Sequence, residues 1–85
     1  MKSVFRVRIR PVGTRRIAVA MGPSWEEAAF AGYDKLVRPT GGPRRYLARI
    51  VSEPSPWRKL VRFGYRSRNE VVSDPPVAVD IERVS

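Results

Sequence analysis

From Ser24 onward the apolar positions recur at helical spacing. Trp25, Ala28, Ala29, Phe30, Gly32, Tyr33, Leu36 and Val37 fall on one broad arc, and Glu27, Asp34, Lys35 and Arg38 cluster opposite. Ser24 occupies the N-cap position and Glu27 completes a capping box three residues later. Acidic residues fall in the first turn and basic ones in the last, as the helix dipole favours, and Pro39 has no backbone donor with which to extend the helix. The pattern predicts a helix of about four turns over 24–38, packed through Trp25, Ala29, Tyr33 and Leu36. An arc this wide needs a sheet beneath it.

The rest of the chain alternates with period two. Val4–Arg10 sets Phe5, Val7 and Ile9 against Arg6, Arg8 and Arg10, and Pro11-Val12-Gly13-Thr14 turns the chain. Arg16–Met21 reads as the second arm of a hairpin, with Ile17, Val19 and Met21 inward and Arg16, Ala18 and Ala20 outward. After the loop 39–43, Arg44–Val51 reads as a third strand, with Tyr46, Ala48 and Ile50 opposite Arg45, Leu47, Arg49 and Val51. A loop over 52–56 leads to a fourth, Trp57–Arg66, in which Val61, Phe63 and Tyr65 oppose Leu60, Arg62 and Arg66. Glu70-Val71-Val72 is able to extend a strand before Asp74-Pro75-Pro76 interrupts regular structure. In a short last strand Val77, Val79 and Ile81 alternate with Ala78, Asp80 and Glu82, and its acidic outward positions suit a sheet edge.

This order predicts an α+β fold in two layers, one helix on a four- to five-stranded, mostly antiparallel sheet (β-β-α-β-β with a possible final strand). Eighty-five residues suffice for a single domain, 1–85, near the lower size at which a core holds unaided. No cysteine is present, which fits a reducing cytoplasm, and no run approaches the roughly 20 apolar residues of a membrane span. The expected location is the cytoplasm.

Seventeen basic against eight acidic residues give a net charge of +9. Residues 1–69 hold sixteen basic and four acidic side chains, whereas 70–85 hold Arg83 against Glu70, Asp74, Asp80 and Glu82. The positive field therefore belongs to the body of the chain and draws polyanions or acidic protein surfaces. Fourteen of the seventeen cations are arginine, a choice that a GC-rich coding sequence also produces.

Catalytic chemistry finds little support. Histidine is absent along with cysteine, which removes the commonest general base, the commonest metal ligand and a familiar nucleophile. Glu26 and Glu27 are accounted for by dipole and capping, and Gly41-Gly42 lacks the spacing of a phosphate-binding loop. No catalytic residue, metal ligand or cofactor is assigned, and the expectation is a protein that is not an enzyme.

The arginines are the candidate site. Period-two spacing sets guanidinium groups about 7 Å apart along a strand, and each offers a planar fork to phosphate. Arg6, Arg8, Arg10, Arg16, Arg45, Arg49, Arg58, Arg62 and Arg66 are the predicted nucleic-acid contacts, on the sheet face away from the helix or at its margins. Trp57, Tyr46, Phe63 and Tyr65 would add base stacking if they turned to that face, although the alternation points most of them inward.

The segment VFRVRIRPVGTRRIAVAMGPSWEEAAFAGYDKL, with its basic first strand, second strand and Ser24-x-x-Glu27-Ala28 helix, resembles small proteins of phages, prophages and mobile elements of GC-rich bacteria, anti-CRISPR proteins among them. It covers the N-terminal part of the chain. The resemblance implies a compact αβ inhibitor that acts without catalysis by blocking a host defence complex. Many such inhibitors are acidic DNA mimics, a pattern from which this basic chain departs, and no binding residue carries over. Two expectations result: a binder of nucleic acid or nucleoprotein through the arginine face, or an inhibitor gripping a host protein, an acidic one suiting the charge, through Trp57, Arg58 and Arg62.

Overall fold

The computed structural model describes residues 3–85 and lays one helix on one face of a six-stranded antiparallel sheet. The elements are β1 (Phe5–Pro11), β2 (Ala18–Gly22), α1 (Trp25–Val37) with a 3-10 turn Arg38–Thr40, β3 (Leu47–Ser55), β4 (Arg58–Ser67), β5 (Glu70–Ser73) and β6 (Val77–Arg83). The strand order is β2-β1-β6-β4-β3. The two short C-terminal strands share one side of β4: β6 pairs with Arg58–Val61 and β5 with Gly64–Ser67. The two-layer α+β architecture is the expected one, with six strands.

Local chemistry sets the helix ends. Ser24 is extended, and its Oγ accepts the Glu27 N–H at 3.2 Å while lying 3.3 Å from the Glu27 carboxylate. At the other end Thr40 Oγ1 donates to the Val37 carbonyl at 2.7 Å, and Arg16 donates to the Leu36 carbonyl at 2.6 Å. These bonds satisfy carbonyls that the last turn leaves free.

The inward face predicted for β1 is the observed one, and so is that of β6: Val7, Ile9, Val77, Val79 and Ile81 are buried under the helix with Ala28, Ala29, Tyr33 and Leu36. The predicted face of β2 is reversed. Ala18 and Ala20 are buried, whereas Ile17, Val19 and Met21 are 50%, 43% and 53% exposed. Close packing explains the reversal. A Cβ on Gly32 would stand 2.8 Å from Ile9 Cδ1 and 3.5 Å from the Ala20 methyl, so the helix backbone lies too near β2 for larger side chains.

Further corrections concern the C-terminal half. The third strand begins at Leu47 and runs through the predicted loop to Ser55, with register shifts between Ile50 and Ser52 and again before Ser55. The helix lies over β1 and β2 and leaves β3 uncovered, so Tyr46 and Ile50, on the helix side of the sheet, are exposed. The register shift turns Glu53 toward buried Lys59, with which it forms an ion pair, and the Lys59 ammonium lies 5.2 Å from the centre of the Trp25 ring. Trp57, at the turn before β4, is 53% exposed and is not a core residue. Strand β6 is no edge: it is hydrogen-bonded on both sides.

Phe63 anchors β4 to the helix, its ring stacked on Tyr33 at 4.4 Å between centroids and edge-on to Phe30 at 5.3 Å. Beside it, Gly64 lets β5 approach, because a Cβ there would stand 2.2 Å from the Val72 carbonyl oxygen. Gly64→Ala should therefore cost about 1–3 kcal/mol in urea unfolding, with amide protection lost in β5 and kept in β1 and β6. Unchanged protection at Val71 and Val72 would refute this account of Gly64. Leu36→Ala, at a site 6% exposed, should cost about 2–5 kcal/mol in the same assay.

Candidate functional site

The helix covers one face of the sheet and leaves the other open. Residue parity decides which side chains reach the open face: Arg6, Arg8 and Arg10 from β1, Asp80 and Glu82 from β6, Arg58, Leu60, Arg62 and Arg66 from β4, and Leu47 and Arg49 from β3. Seven of the nine predicted arginines are thus brought to one face.

The other two have structural partners. Arg16 shares its parity with buried Ala18 and Ala20, and it caps the helix at Leu36. Arg45 lies on the helix side, where its Nε donates to Asp74 at 2.8 Å, its Nη2 to the other carboxylate oxygen at 3.3 Å and its Nη1 to the Pro43 carbonyl at 2.8 Å. Its guanidinium is 5.3 Å from the centre of the Tyr65 ring. The Tyr33 hydroxyl donates to the same carboxylate at 2.7 Å. Burial by itself would raise the Asp74 pKa, but hydrogen bonds from Arg45 and Tyr33 outweigh it and hold the carboxyl below its ordinary value. Burial, reinforced by Asp74, pushes the Tyr33 hydroxyl upward. Sequence reasoning missed this cluster; the one signal was an isolated acid before two prolines.

On the open face, antiparallel register sorts the charges into rows. Arg6 stands opposite Glu82 and bonds to it at 2.6 Å; Asp80 lies between Arg8 and Arg58 and pairs with Arg58 at 3.0 Å. The next row holds Arg10, Ala78, Leu60 and Ser52, a half-buried apolar centre with a cation at one side. Arg62 and Arg49 then face each other directly, with no carboxylate in their row. Arg62 Nε donates to the Asp74 carbonyl at 3.0 Å, on the side of β4 away from Arg49. Among the described residues, Arg8, Arg10, Arg49, Arg62 and Arg66 have no carboxylate within ion-pair distance. Like charges directly opposite across a ladder are destabilising, so the Arg49–Arg62 pair is a local cost that a bound anion would relieve.

The aromatic residues are arranged differently. Phe63 is buried, Tyr65 lies beneath Arg45 and Tyr46 is on the helix side, lining a hollow with Phe30, Arg44 and Arg45. Trp57 stands at the β3–β4 turn and, with Arg8, Pro54, Ser55, Arg58, Asp80 and Ile81, lines a shallow groove. Among the described residues no cluster of three or more His, Cys, Asp or Glu forms a metal-binding group, and no helix is long and apolar enough to cross a membrane. No family model matches the chain, and no curated protein or solved structure gives a significant match.

The Asp74 cluster predicts an acid-sensitive fold. An aspartate held below its unfolded value of about 3.9 adds stability above that pH and loses it as the pH falls through the folded-state value. Thermal unfolding should therefore show the melting temperature dropping below about pH 4, with a shallower acid limb in Asp74→Asn, which is also less stable at pH 7. An equally steep acid limb in the variant would remove Asp74 from this role.

Proposed function

We propose that the protein is a non-catalytic binder of nucleic acid, or of the nucleic-acid part of a nucleoprotein, and that the open sheet face is its contact surface. The observation that carries this reading is the set Arg8, Arg10, Arg49, Arg62 and Arg66, which share an uncovered face and have no carboxylate partner among the described residues. Guanidinium forks spaced along neighbouring strands suit successive phosphates and bind without regard to sequence. Glu82 and Asp80, on the strand between β1 and β4, neutralise Arg6 and Arg58 and leave the unpaired arginines on either side of β6.

A second reading keeps the small phage-type inhibitor, which grips a host protein through Trp57, Arg58 and Arg62. The half-exposed indole of Trp57 favours it, since binding energy at protein interfaces concentrates in such aromatic and arginine anchors. The two readings separate on salt and on nuclease. A protein partner retained after nuclease treatment and lost in Trp57→Ala supports the second.

Fluorescence anisotropy with labelled RNA, single-stranded DNA and duplex DNA at two salt concentrations tests the first reading. Five engaged cations give a slope of log affinity against log salt of about −3.5 on a single strand. Arg49→Ala combined with Arg62→Ala should make that slope shallower by about 1.4, with circular dichroism confirming that the variant folds, since Arg62 also holds the Asp74 carbonyl. Absence of binding to all three ligands at low salt would refute the reading.

A further inference from the structure

Resting on the nucleic-acid reading, we infer that the ligand is single-stranded and that the Trp57 indole stacks on one of its bases at the β3–β4 turn. Trp57 is 53% exposed, yet its backbone is held at both peptide groups. Its N–H donates to Ser55 Oγ at 3.2 Å, and its carbonyl accepts the Ile81 N–H at 2.8 Å. Pro56 before it restricts the turn further. The indole is thus carried on a fixed backbone with two side-chain torsions to settle, so ordering it on a ligand costs little entropy.

The groove beside it supplies charge of the right sign. Arg58 is paired with Asp80, and Arg8, on the other side of Asp80, has no carboxylate within ion-pair distance among the described residues. An exposed π surface therefore sits next to a cation available for phosphate. Four residues along β4, about 13 Å at strand rise, lie Arg62 and its neighbour Arg49. A strand running from the turn toward that pair crosses the apolar patch of Leu60 and Ala78. Paired bases are stacked inside a duplex and present no face to an indole on a sheet surface, whereas unpaired bases do. The other aromatic rings of the sheet are buried, covered or on the helix side, so the base contact is assigned to Trp57.

The chain has two tryptophans, so Trp25→Phe isolates the signal of Trp57. Titration of this variant with oligo(U) and oligo(dT) of about twelve nucleotides should quench its fluorescence in step with the anisotropy of the labelled oligonucleotide. Because Trp25 carries Lys59, the difference between wild type and Trp57→Phe gives the same signal should Trp25→Phe fold poorly. Trp57→Ala should weaken single-strand binding about 10- to 100-fold, leave weak binding to a duplex of equal length unchanged, and retain the wild-type thermal unfolding curve. Binding without quenching, or equal affinity of Trp57→Ala for the single strand, overturns the stacking inference and leaves the arginine face standing. Loss of anisotropy change with every nucleic acid overturns the reading on which it rests. Loss in Trp57→Ala of a nuclease-resistant protein partner alone, with oligonucleotide binding intact, assigns the indole to a protein and also overturns the inference.

Discussion

Insertion of β6 between β1 and β4 is the constraint on which the remaining structure depends. The helix lies over β1 and β2, and the β3–β4 hairpin has no strand neighbour of its own in that half. Strand β6 joins the two by hydrogen bonding to both, and it sets Val77, Val79 and Ile81 under the helix. The Tyr33–Phe63 stack and the bonds from Tyr33 and Arg45 to Asp74 then fix the hairpin against the helix. Without β6 the apolar residues of β1 and β4 would form two incomplete surfaces, each too small to bury its own side chains.

The same insertion organises the charge. As a segment of sequence, residues 70–85 are acidic beside a basic body. In three dimensions Asp80 and Glu82 lie within the arginine face and neutralise Arg58 and Arg6. What remains positive is the area on either side of them, Arg8 and Arg10 on β1 and Arg49, Arg62 and Arg66 on β3 and β4. Exposed pairs of this kind add little stability, about 0–1 kcal/mol each, so their main effect is on the shape of the field. An anion meets two lobes of positive charge separated by a neutral, partly apolar middle.

The helix, the hairpin and the inward face of β1 were legible because a period of hydrophobicity and a capping motif identify them locally. The face of β2 was not. Alternation there is Ala against Val and Met, and the larger residues lost the core positions to alanine because Gly32 brings the helix so close. That distance is a tertiary quantity with no local signal. Placement of β6 was misleading for a related reason: acidic outward positions suit an edge, but they equally suit a central strand whose neighbours both carry arginine. Parity correctly placed Arg6, Arg8, Arg10, Arg49, Arg62 and Arg66 on one face, and it failed for Arg45 because the chain before Leu47 is not yet strand. Arg16 failed with the rest of β2.

Strand β6 also bears on how the chain avoids closing wrongly. Its partners in β4 are 16–22 residues away, but those in β1 are 66–78 residues away, so the loop-closure entropy of the β1 pairing is high and β6 takes its place between the two strands late. Until then β1 and β4 present two edges with unpaired backbone groups and apolar side chains, the usual template for annealing to another chain or directly to each other. Both edges carry arginine, at positions 6, 8 and 10 on β1 and at 58, 62 and 66 on β4. Joining β1 to β4, or either one to its copy in a second chain, would set guanidinium against guanidinium, whereas β6 brings Asp80 and Glu82 to those same positions. The basic face thus acts as a gatekeeper during folding, selecting for the vacant place in the sheet the one strand whose charge fits it.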